Sequence, residues 1–250
     1  MFTGIVQGTA EVAQLDTKEN FRSFRIQFPA GRTENIQIGA SVAINGTCLT
    51  VTAIDGDVLS FDVMAETLRA TSLGNLQLGS KVNFERSARV GDEIGGHNVS
   101  GHVHCTASII QVEDTANNRR LSFRLSDPKF AKRLSFRLSD PKFSKYMLPK
   151  GFIAVDGCSL TVGEVWDDAC FSVYLIPETM RVTVFGVKGQ GDTVNVEIEA
   201  QTQAIVDTVE RVVQQHLTKL GLGAAAAAGG GADAVGLAAA AAAAAAGGTV

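Results

Sequence analysis

Short segments in which apolar and polar residues alternate run through residues 1–199. The alternation is clear at residues 24–28 (FRIQF) and 194–198 (VNVEI). A period of two is typical of β-strands that bury one face. Gly, Asp and Asn interrupt these segments, and residues 54–58 (IDGDV) place an Asp-Gly turn between two of them. The pattern predicts an all-β body.

One helical segment, residues 201–220, follows the strands. Its apolar side chains within residues 202–217 form a stripe at helical spacing, away from Asp207, Glu210 and Arg211, and they are Ile205, Val209, Val212 and Val213. Either a barrel end or another subunit has to cover this stripe. From residue 221 to residue 250 the chain is almost entirely Ala and Gly, so we expect a low-complexity tail without function.

The two halves of the body match each other in constant order. The matching segments are 1–10 with 98–107, 43–51 with 154–162, 66–68 with 178–180, and 73–85 with 185–197. Ordered matches of this kind indicate a duplicated domain, and closure into a barrel removes the exposed edges of short antiparallel strands. We therefore predict two similar six-stranded antiparallel Greek-key barrels in tandem, at residues 1–97 and 98–200, followed by the C-terminal α-helix.

A shorter tandem repeat lies inside the second half. Residues 120–132 and 133–145 are identical except that Ala131 stands against Ser144. A barrel has one place for such a strand, so we expect one copy to loop out or to displace its twin. The sequence does not show which copy forms the strand.

The composition of the chain indicates the cellular compartment in which it works and the kinds of partner it binds. Lys and Arg number 22 against 26 Asp and Glu, a net charge of −4, which gives no electrostatic reason to expect nucleic acid. The chain shows neither a membrane-spanning apolar run nor a signal peptide. Its four scattered cysteines are expected as reduced thiols. We expect a cytoplasmic protein that binds neither membrane nor nucleic acid.

Each half carries a pair of small polar side chains beside a turn. Residues two apart in a strand share a face, so Cys48 lies beside Thr50, and Ser159 lies beside Thr161. Each pair would offer hydrogen-bonding or nucleophilic groups at the mouth of a pocket, although such side chains also pack or cap turns. Their recurrence in both halves favours a functional role.

Three of the four histidines lie within residues 97–104. Two of them share a strand face, but no second group of ligands has a matching spacing, so we expect no metal. His102 aligns with Ile5 of the first half, which makes it a candidate for proton transfer in one pocket only. Carboxylates at strand ends are more often solvated than catalytic, and those at matching places here are Glu66, Glu178, Glu197 and Glu199.

Together these motifs resemble the riboflavin synthase family. The resemblance extends from Met1 to about Leu217, and it is carried by residues 1–6 (MFTGIV), 95–97 (GGH), 100–102 (SGH), 48–50 (CLT), 159–161 (SLT) and 176–179 (IPET). It implies a transferase that dismutates two molecules of 6,7-dimethyl-8-ribityllumazine to riboflavin and 5-amino-6-(ribitylamino)uracil by transfer of a four-carbon unit. Two similar pockets with unlike linings suit a reaction between two copies of one molecule.

The resemblance also implies the partners. Two lumazine molecules would bind in each active site and riboflavin would leave as product. No cofactor is needed, because the conjugated iminium of the substrate is its own electron sink. The family forms homotrimers held partly by C-terminal helices, with the first barrel of one subunit facing the second barrel of its neighbour. Residues 201–220 would be the trimerisation helix.

By resemblance, the ligand contacts fall into two sets. The first pocket would be lined by Gly4, Ile5, Val6, Cys48, Thr50, Asp62, Met64 and Thr67. The second pocket would be lined by Gly101, His102, Val103, Lys150, Ser159, Thr161, Ile176 and Thr179. The flanking residues that complete the substrate-binding set are Leu49, Val63, Ala65, Glu66, Leu160, Tyr174, Leu175, Pro177 and Glu178.

Four of these residues are expected to be catalytic. Ser159 and His102 would activate a nucleophile or relay protons, with Thr161 on the same face, and Cys48 would be the matching polar group of the first pocket. Lys150 would orient the ligand. Glu199 stands where the family usually has Asp beside the second pocket. The added methylene could displace the carboxylate by about 1 Å, and a shift of that size can lower the reaction rate by up to about a hundredfold. The short repeat also ends close enough to Lys150 to shift it.

Two other functions are considered. Lumazine proteins share this architecture but hold a lumazine or a flavin as a chromophore without turnover. The presence of Ser159, Thr161, His102 and Lys150 favours the enzyme. A metal-binding or scaffold protein built on two barrels would leave the paired hydroxyls unexplained.

Overall fold

Two closed barrels of six antiparallel strands form the body of the chain. The computed structural model describes residues 1–114, 119–125, 145–166 and 170–220. The strands of the first barrel are β1 (Gly8–Thr17), β2 (Phe21–Gln27), β3 (Ser41–Ile44), β4 (Thr47–Asp55), β5 (Val58–Met64) and β6 (Lys81–Arg86). Those of the second are β7 (Cys105–Asp114), β8 (Arg119–Leu125), β9 (Phe152–Val155), β10 (Cys158–Trp166), β11 (Cys170–Leu175) and β12 (Thr193–Ile198).

The two barrels have the same topology. Around the first ring the order is β1-β2-β5-β4-β3-β6, and around the second it is β7-β8-β11-β10-β9-β12. Strands distant in sequence, such as β2 and β5, are neighbours in the ring, as in a Greek key. The prediction of two tandem six-stranded Greek-key barrels is confirmed.

Each barrel encloses its own core. The alternation predicted for residues 24–28 is present, since Phe24, Ile26 and Phe28 are buried in the first barrel. The second core contains Val194 and Val196 together with Phe171 and Phe185. A third, smaller apolar cluster of Phe2, Ala43, Val99 and Ala154 lies where the barrels meet. Burial of these side chains supplies most of the driving force for folding.

A short helix follows the fifth strand of each barrel. Helix α1 spans Ala65–Ala70 and helix α2 spans Pro177–Val182, and each is followed by a 3-10 turn, at Ser72–Asn75 and at Val184–Gly186. In each turn a threonine hydroxyl, from Thr71 or Thr183, accepts a hydrogen bond from the amide two residues on. The repeat detected in the sequence therefore extends to the caps of these elements.

The first copy of the short tandem repeat supplies the strand. Residues Arg119–Leu125 form β8, which pairs with β7 on one side and with β11 on the other. Residues 126–144, which hold the rest of the repeat up to Ser144, lie outside the described residues. The question left open by the sequence is answered for the strand itself.

The C-terminal helix α3 spans Ala200–Lys219, two residues longer at each end than the predicted apolar segment. Its stripe faces away from the second barrel, since Ile205, Val209 and Val212 are exposed. Val206, which the stripe did not include, packs on the barrel core instead. The prediction offered a barrel end or another subunit as the surface that covers the stripe. The barrel end does not cover these three residues, so that alternative is wrong. Among the described residues no helix is long and apolar enough to cross a membrane, and the Ala/Gly tail lies outside them.

Ion pairs attach α3 to the second barrel. The ammonium of Lys145, the last residue of the short repeat, donates to Asp207 at 2.6 Å and also to Glu210. The hydroxyl of Tyr146 donates to Asp207 at 2.6 Å. Burial opposes the charge of Lys145, but these partners outweigh it and raise the pKa of the lysine above its ordinary value.

Buried polar side chains join the barrels across their interface. The amide nitrogen of Asn83 donates to the carbonyl of Asp156 at 3.0 Å, and the carbonyl oxygen of Asn83 accepts from Val184 N at 2.8 Å. Asn195 makes the reciprocal contacts with Asn45 O at 2.7 Å and with Ser72 N at 2.6 Å. We call these two asparagines with their partners the inter-barrel junction.

Glycine is required where the turn between β3 and β4 meets the turn between β9 and β10. A Cβ on Gly46 would lie 2.5 Å from Gly157 N, and a Cβ on Gly157 would lie 2.8 Å from the backbone of Gly46. Both residues also have positive φ, 76° and 78°. The turns can approach only because neither residue carries a side chain.

Truncation of Asn195 should destabilise the chain because it leaves the buried Ser72 N and Asn45 O without partners. We expect Asn195→Ala to lower the free energy of unfolding by about 2 to 4 kcal/mol in urea titrations. The exposed Asn20 is the control, and Asn20→Ala should change it by less than about 0.5 kcal/mol. Equal effects of the two substitutions would contradict the role given to the junction.

Candidate active site

The two predicted polar pairs lie on the outer faces of equivalent strands. In β4 and β10 the first five residues share one burial pattern: Leu49 and Val51, like Leu160 and Val162, are buried in the barrels, and the residues between them point outwards. Cys48 and Thr50 therefore share one face, and Ser159 and Thr161 share another. This part of the prediction is confirmed.

The segments that precede β1 and β7 cross to the opposite barrels. Residues 1–6 lie against the second barrel, where Val6 joins the core and Gly4 O accepts a hydrogen bond from Ser159 N at 2.8 Å. Residues 98–103 lie against the first barrel, where Gly101 O accepts from Cys48 N at 2.9 Å. We call these two stretches the crossing segments.

The crossing corrects the grouping of the predicted site residues. Gly4, Ile5 and Val6 were expected beside Cys48, and Gly101, His102 and Val103 beside Ser159, but the structure exchanges the two sets. The reason is a backbone bridge between the segments, with Phe2 N donating to Val99 O at 2.8 Å and Val99 N donating to Phe2 O at 3.0 Å. This bridge carries each segment past its own barrel.

Both contacts are too close for any residue but glycine. A Cβ on Gly4 would lie 2.6 Å from the Cβ of Ser159, and a Cβ on Gly101 would lie 2.5 Å from the Cβ of Cys48. The φ angles of the two glycines, 75° and 85°, also lie in the left-handed region. Each crossing segment thus presses its backbone on the polar residue of the opposite barrel.

Ser159 is paired with a histidine that the sequence did not assign to the site. The Oγ of Ser159 lies 2.6 Å from Nδ1 of His97, whose ring stacks on Phe152 with a centroid distance of 5.1 Å. His97 is 7% exposed, and its Nε2 has no hydrogen-bond partner among the described residues. Burial lowers the pKa of His97, and Glu199 and Glu197 only partly oppose this. The imidazole is therefore held neutral near pH 7.

The glycine pair before His97 is the sequence signal that could have indicated this role. A Cβ on Gly96 would lie 2.3 Å from Thr3 O and 2.9 Å from Ser159 Oγ. Gly96 therefore allows the turn to approach Ser159 closely. In the sequence this turn contributes to the family resemblance and to a histidine cluster, but His97 is assigned no role in the site.

His102 does not lie with Ser159. It is exposed, and it belongs to the crossing segment that contacts Cys48 on the first barrel. His104 instead links β12 to helix α3, with Nδ1 accepting from Ile198 N at 3.1 Å and Nε2 lying 3.0 Å from Gln203 Oε1. Within the described parts of the chain, no group of three or more His, Cys, Asp or Glu side chains is arranged to hold a metal ion.

The remaining predicted contacts divide by exposure. Ile5, Met64, Tyr174 and Ile176 present large exposed side chains beside the two polar pairs. Asp62 accepts from Ser23 Oγ at 2.5 Å, and the hydroxyl of Tyr174 at the equivalent position donates to Glu164 at 2.8 Å. The side chains that face the cores, which leave only their backbone for a ligand, are Val6, Leu49, Val63, Leu160 and Leu175.

Two predicted carboxylates are engaged in exposed ion pairs. Glu66 pairs with Arg69 on α1 at 2.7 Å, and Glu178 pairs with Arg181 on α2 at 2.6 Å. The hydrogen bonds from Arg181 lower the pKa of Glu178. Glu66 and Glu178 thus fit the expectation that such carboxylates are solvated, whereas for Glu197, which is 6% exposed, that expectation is wrong.

Glu199 caps helix α3. Its carboxylate accepts from Gln201 N at 3.0 Å and from Thr202 N at 2.6 Å. Burial would raise the pKa of Glu199, but the hydrogen bonds from Thr202 and Gln201 and the nearby His97 outweigh it and lower the pKa. The longer side chain thus reaches the helix N-terminus, where a negative charge is stabilised.

Comparison with known proteins agrees with the repeat and with the fold. The family model for the lumazine binding domain matches residues 3–87 and 100–199. The riboflavin synthase of Escherichia coli (strain K12) is 50% identical over 213 residues, which cover 85% of this chain and 93% of that protein. The riboflavin synthase of Chlamydia pneumoniae is 39% identical over 213 residues, covering 85% of this chain and 97% of its own length.

Solved structures of LumP show the same fold. LumP complexed with riboflavin superposes with a TM-score of 0.67 at 25% identity, covering 80% of this chain and 100% of LumP. LumP complexed with 6,7-dimethyl-8-(1'-D-ribityl) lumazine gives 0.65 at 25% identity, covering 80% and 99%. With both barrels matched by the lumazine binding domain and curated enzymes matched over most of their length, the chain belongs to the riboflavin synthase family.

Proposed function

We propose that this chain catalyses the dismutation of two molecules of 6,7-dimethyl-8-ribityllumazine to riboflavin and 5-amino-6-(ribitylamino)uracil. The observation that carries the proposal is a pair of like frames with unlike polar groups. In one frame Gly4 lies on Ser159, which is bound to His97, and in the other Gly101 lies on Cys48. Two copies of one substrate can bind alike in such frames and react differently.

The Ser159–His97 pair can activate a nucleophile at the second barrel. With His97 neutral, the hydroxyl of Ser159 donates to Nδ1. When Oγ forms a bond to C7 of the lumazine, its proton passes to Nδ1 and the electron pair of the iminium moves into the conjugated ring. Thr161 points to the same side and can hydrogen-bond the bound ring. Proximity of the two rings supplies much of the remaining rate enhancement.

The chromophore carrier is the second candidate function, since LumP is structurally similar. A carrier needs shape and hydrogen bonds but no acid-base pair. Burial of the His97 imidazole costs stability, because its Nε2 has no hydrogen-bond partner among the described residues. Buried histidines paired with a hydroxyl, like His97 with Ser159, cluster at catalytic sites. The Ser159–His97 pair therefore favours the enzyme.

The proposal includes a homotrimer with two lumazine molecules per active site. Its support is the exposed stripe of α3, in which Ile205 is 64% exposed and Val209 is 56% exposed. Apolar stripes of this kind are covered by another helix in stable proteins.

We propose the domain bounds 1–97, 98–200, 201–220 and 221–250 for the two lumazine-binding barrels, the trimerisation helix and the tail. Four free thiols support a reducing, cytoplasmic location.

Lys150 is retained in a conformation that disfavours a side chain. Its φ is 69°, and the matching position of the first barrel is Gly39, with φ of 89°. The match is exact in hydrogen bonding, because Lys150 N donates to Val162 O and Gly39 N donates to Val51 O, both at 2.8 Å. The short repeat has therefore not moved Lys150 out of register. A strained lysine where the equivalent turn uses glycine supports a role for its ammonium in orienting the ligand.

The purified chain incubated with the lumazine alone should form riboflavin. The product is measured by the growth of its yellow absorption band in the visible spectrum. Ser159→Ala should lower the turnover rate by about 100-fold or more, since it removes an acid-base group. Ser60→Ala, at a half-buried position of β5 in the first barrel, is a control expected to retain full rate. Bound and unchanged lumazine with the unmodified chain would instead identify a carrier.

The rate should fall at low pH because Ser159 needs His97 as an acceptor. The pKa of His97 lies below its ordinary value of about 6.5, so kcat/KM should be flat from neutrality down to that range. It should then fall about tenfold for each further pH unit as the imidazole is protonated. A rate that rises on acidification would contradict the assigned direction of proton transfer.

Lys150→Gly should separate binding from stability. Relief of the left-handed strain, less the added freedom of glycine in the unfolded chain, should raise the free energy of unfolding by roughly 0.5 to 1 kcal/mol. Lumazine affinity should fall at the same time, as measured by fluorescence titration. Gly39→Ala is the matched control, expected to lower stability only. Unchanged affinity in Lys150→Gly would remove Lys150 from the site.

A further inference from the structure

Two buried glutamates hold the crossing segments. On β6, Glu85 Oε1 accepts from Thr3 N at 2.6 Å and from Thr3 Oγ at 2.8 Å, and Oε2 accepts from Gly4 N at 3.0 Å. Glu85 is 3% exposed. All three donors belong to the first crossing segment, so one carboxylate holds Gly4, which makes the backbone contact with the second barrel, and Thr3, the residue before it.

Glu197 repeats the arrangement in the second barrel. On β12, its Oε1 accepts from Ser100 N at 2.7 Å and from Ser100 Oγ at 2.8 Å, and its Oε2 accepts from Gly101 N at 3.0 Å. Glu197 is 6% exposed. The two carboxylates therefore hold equivalent hydroxyl-glycine pairs with the same set of three donors.

Each carboxylate is linked by short contacts to the polar residue of the opposite barrel. From Glu85 the path runs through Thr3, whose carbonyl accepts from His97 N at 3.1 Å, and through Gly4, whose carbonyl accepts from Ser159 N at 2.8 Å. From Glu197 it runs through Gly101, whose carbonyl accepts from Cys48 N at 2.9 Å. Because the glycines touch the Cβ atoms of Ser159 and Cys48, a displaced segment has to displace these side chains too.

The chemistry of the contacts requires an ionised carboxylate. Two oxygens that only accept can serve three donors, whereas an amide offers one oxygen and turns an NH2 group towards the remaining N–H. Burial raises the pKa of Glu85 above its ordinary value, and the hydrogen bonds from Thr3 and Gly4 offset only part of that shift. A buried carboxylate of this kind is costly for stability, which points to a role beyond packing.

We propose that Glu85 and Glu197 are positioning residues that act across the barrels, Glu85 on the Ser159–His97 pair of the second barrel and Glu197 on Cys48 of the first. The proposal rests on the proposed function for its effect on turnover, but not for its effect on geometry. Each barrel thus supplies the carboxylate that positions the polar residue of the other barrel's site.

The test compares Glu85→Gln with Glu197→Gln in the full chain. The first readout is the rate at which a thiol reagent modifies Cys48, which is partly exposed, whereas Cys105, Cys158 and Cys170 are buried. Glu197→Gln should raise this rate about tenfold by releasing Gly101. Glu85→Gln should leave it within about twofold of the unmodified chain.

The second readout is the imidazole ¹⁵N spectrum of His97, assigned with His97→Gln. At pH 8 His97 is neutral in all variants, so loss of the Glu197 charge does not alter its protonation. Glu85→Gln should shift the Nδ1 signal by weakening the hydrogen bond to Ser159, and Glu197→Gln should leave it unchanged.

Both substitutions should also lower kcat by about 10- to 100-fold, the range for a catalytic group misplaced by about 1 Å.

Effects confined to the same barrel as the substitution would overturn the proposal, as would an unchanged kcat in an active enzyme. If either glutamine variant fails to fold, Thr3→Val and Ser100→Ala each remove one hydroxyl from the same contacts and should give the same crossed pattern at smaller size. Failure of the proposed function would show as no turnover by the unmodified chain. The thiol and ¹⁵N readouts decide the positioning roles in that case too.

Discussion

The architecture depends on hydrogen bonds exchanged between the barrels in a site closed to water. Asn83 satisfies backbone groups of Asp156 and Val184, and Asn195 satisfies those of Asn45 and Ser72. Separation of the barrels would exchange these hydrogen bonds for bonds to water, at a net cost of about 0.5 to 1.5 kcal/mol each, and would also expose the apolar cluster around Phe2 and Val99. The relative position of the barrels is therefore fixed, and the crossing segments always reach the same polar residues.

This constraint explains how a duplicated domain gives two different sites. The frames are alike because β4 and β10 present their outer faces in the same way and a glycine lies on each. The chemistry differs because one frame holds a thiol and the other holds a hydroxyl bonded to a buried histidine. A reaction in which identical molecules take opposite roles requires this combination of similarity and difference. Fixed barrels also keep the acceptor of the Ser159 proton in place before substrate binds.

Local patterns in the sequence predicted the barrels, the paired polar residues and the C-terminal helix, because period and turn chemistry determine these features. The crossing could not be predicted, since Gly4 and Gly101 align with each other whichever barrel they cover. His97 was missed because its partner, Ser159, lies 62 residues away. The apolar stripe of α3 was identified, but periodicity does not state which face meets the barrel, and Lys145 fixes the polar face there.

A crystal structure of the full chain with riboflavin bound tests the crossing most directly. The exchanged arrangement predicts that, within one chain, a ligand at Ser159 and Thr161 also contacts residues 4–6, and that a ligand at Cys48 and Thr50 contacts residues 101–103. Riboflavin held between residues 4–6 and Cys48 of the same chain would contradict it.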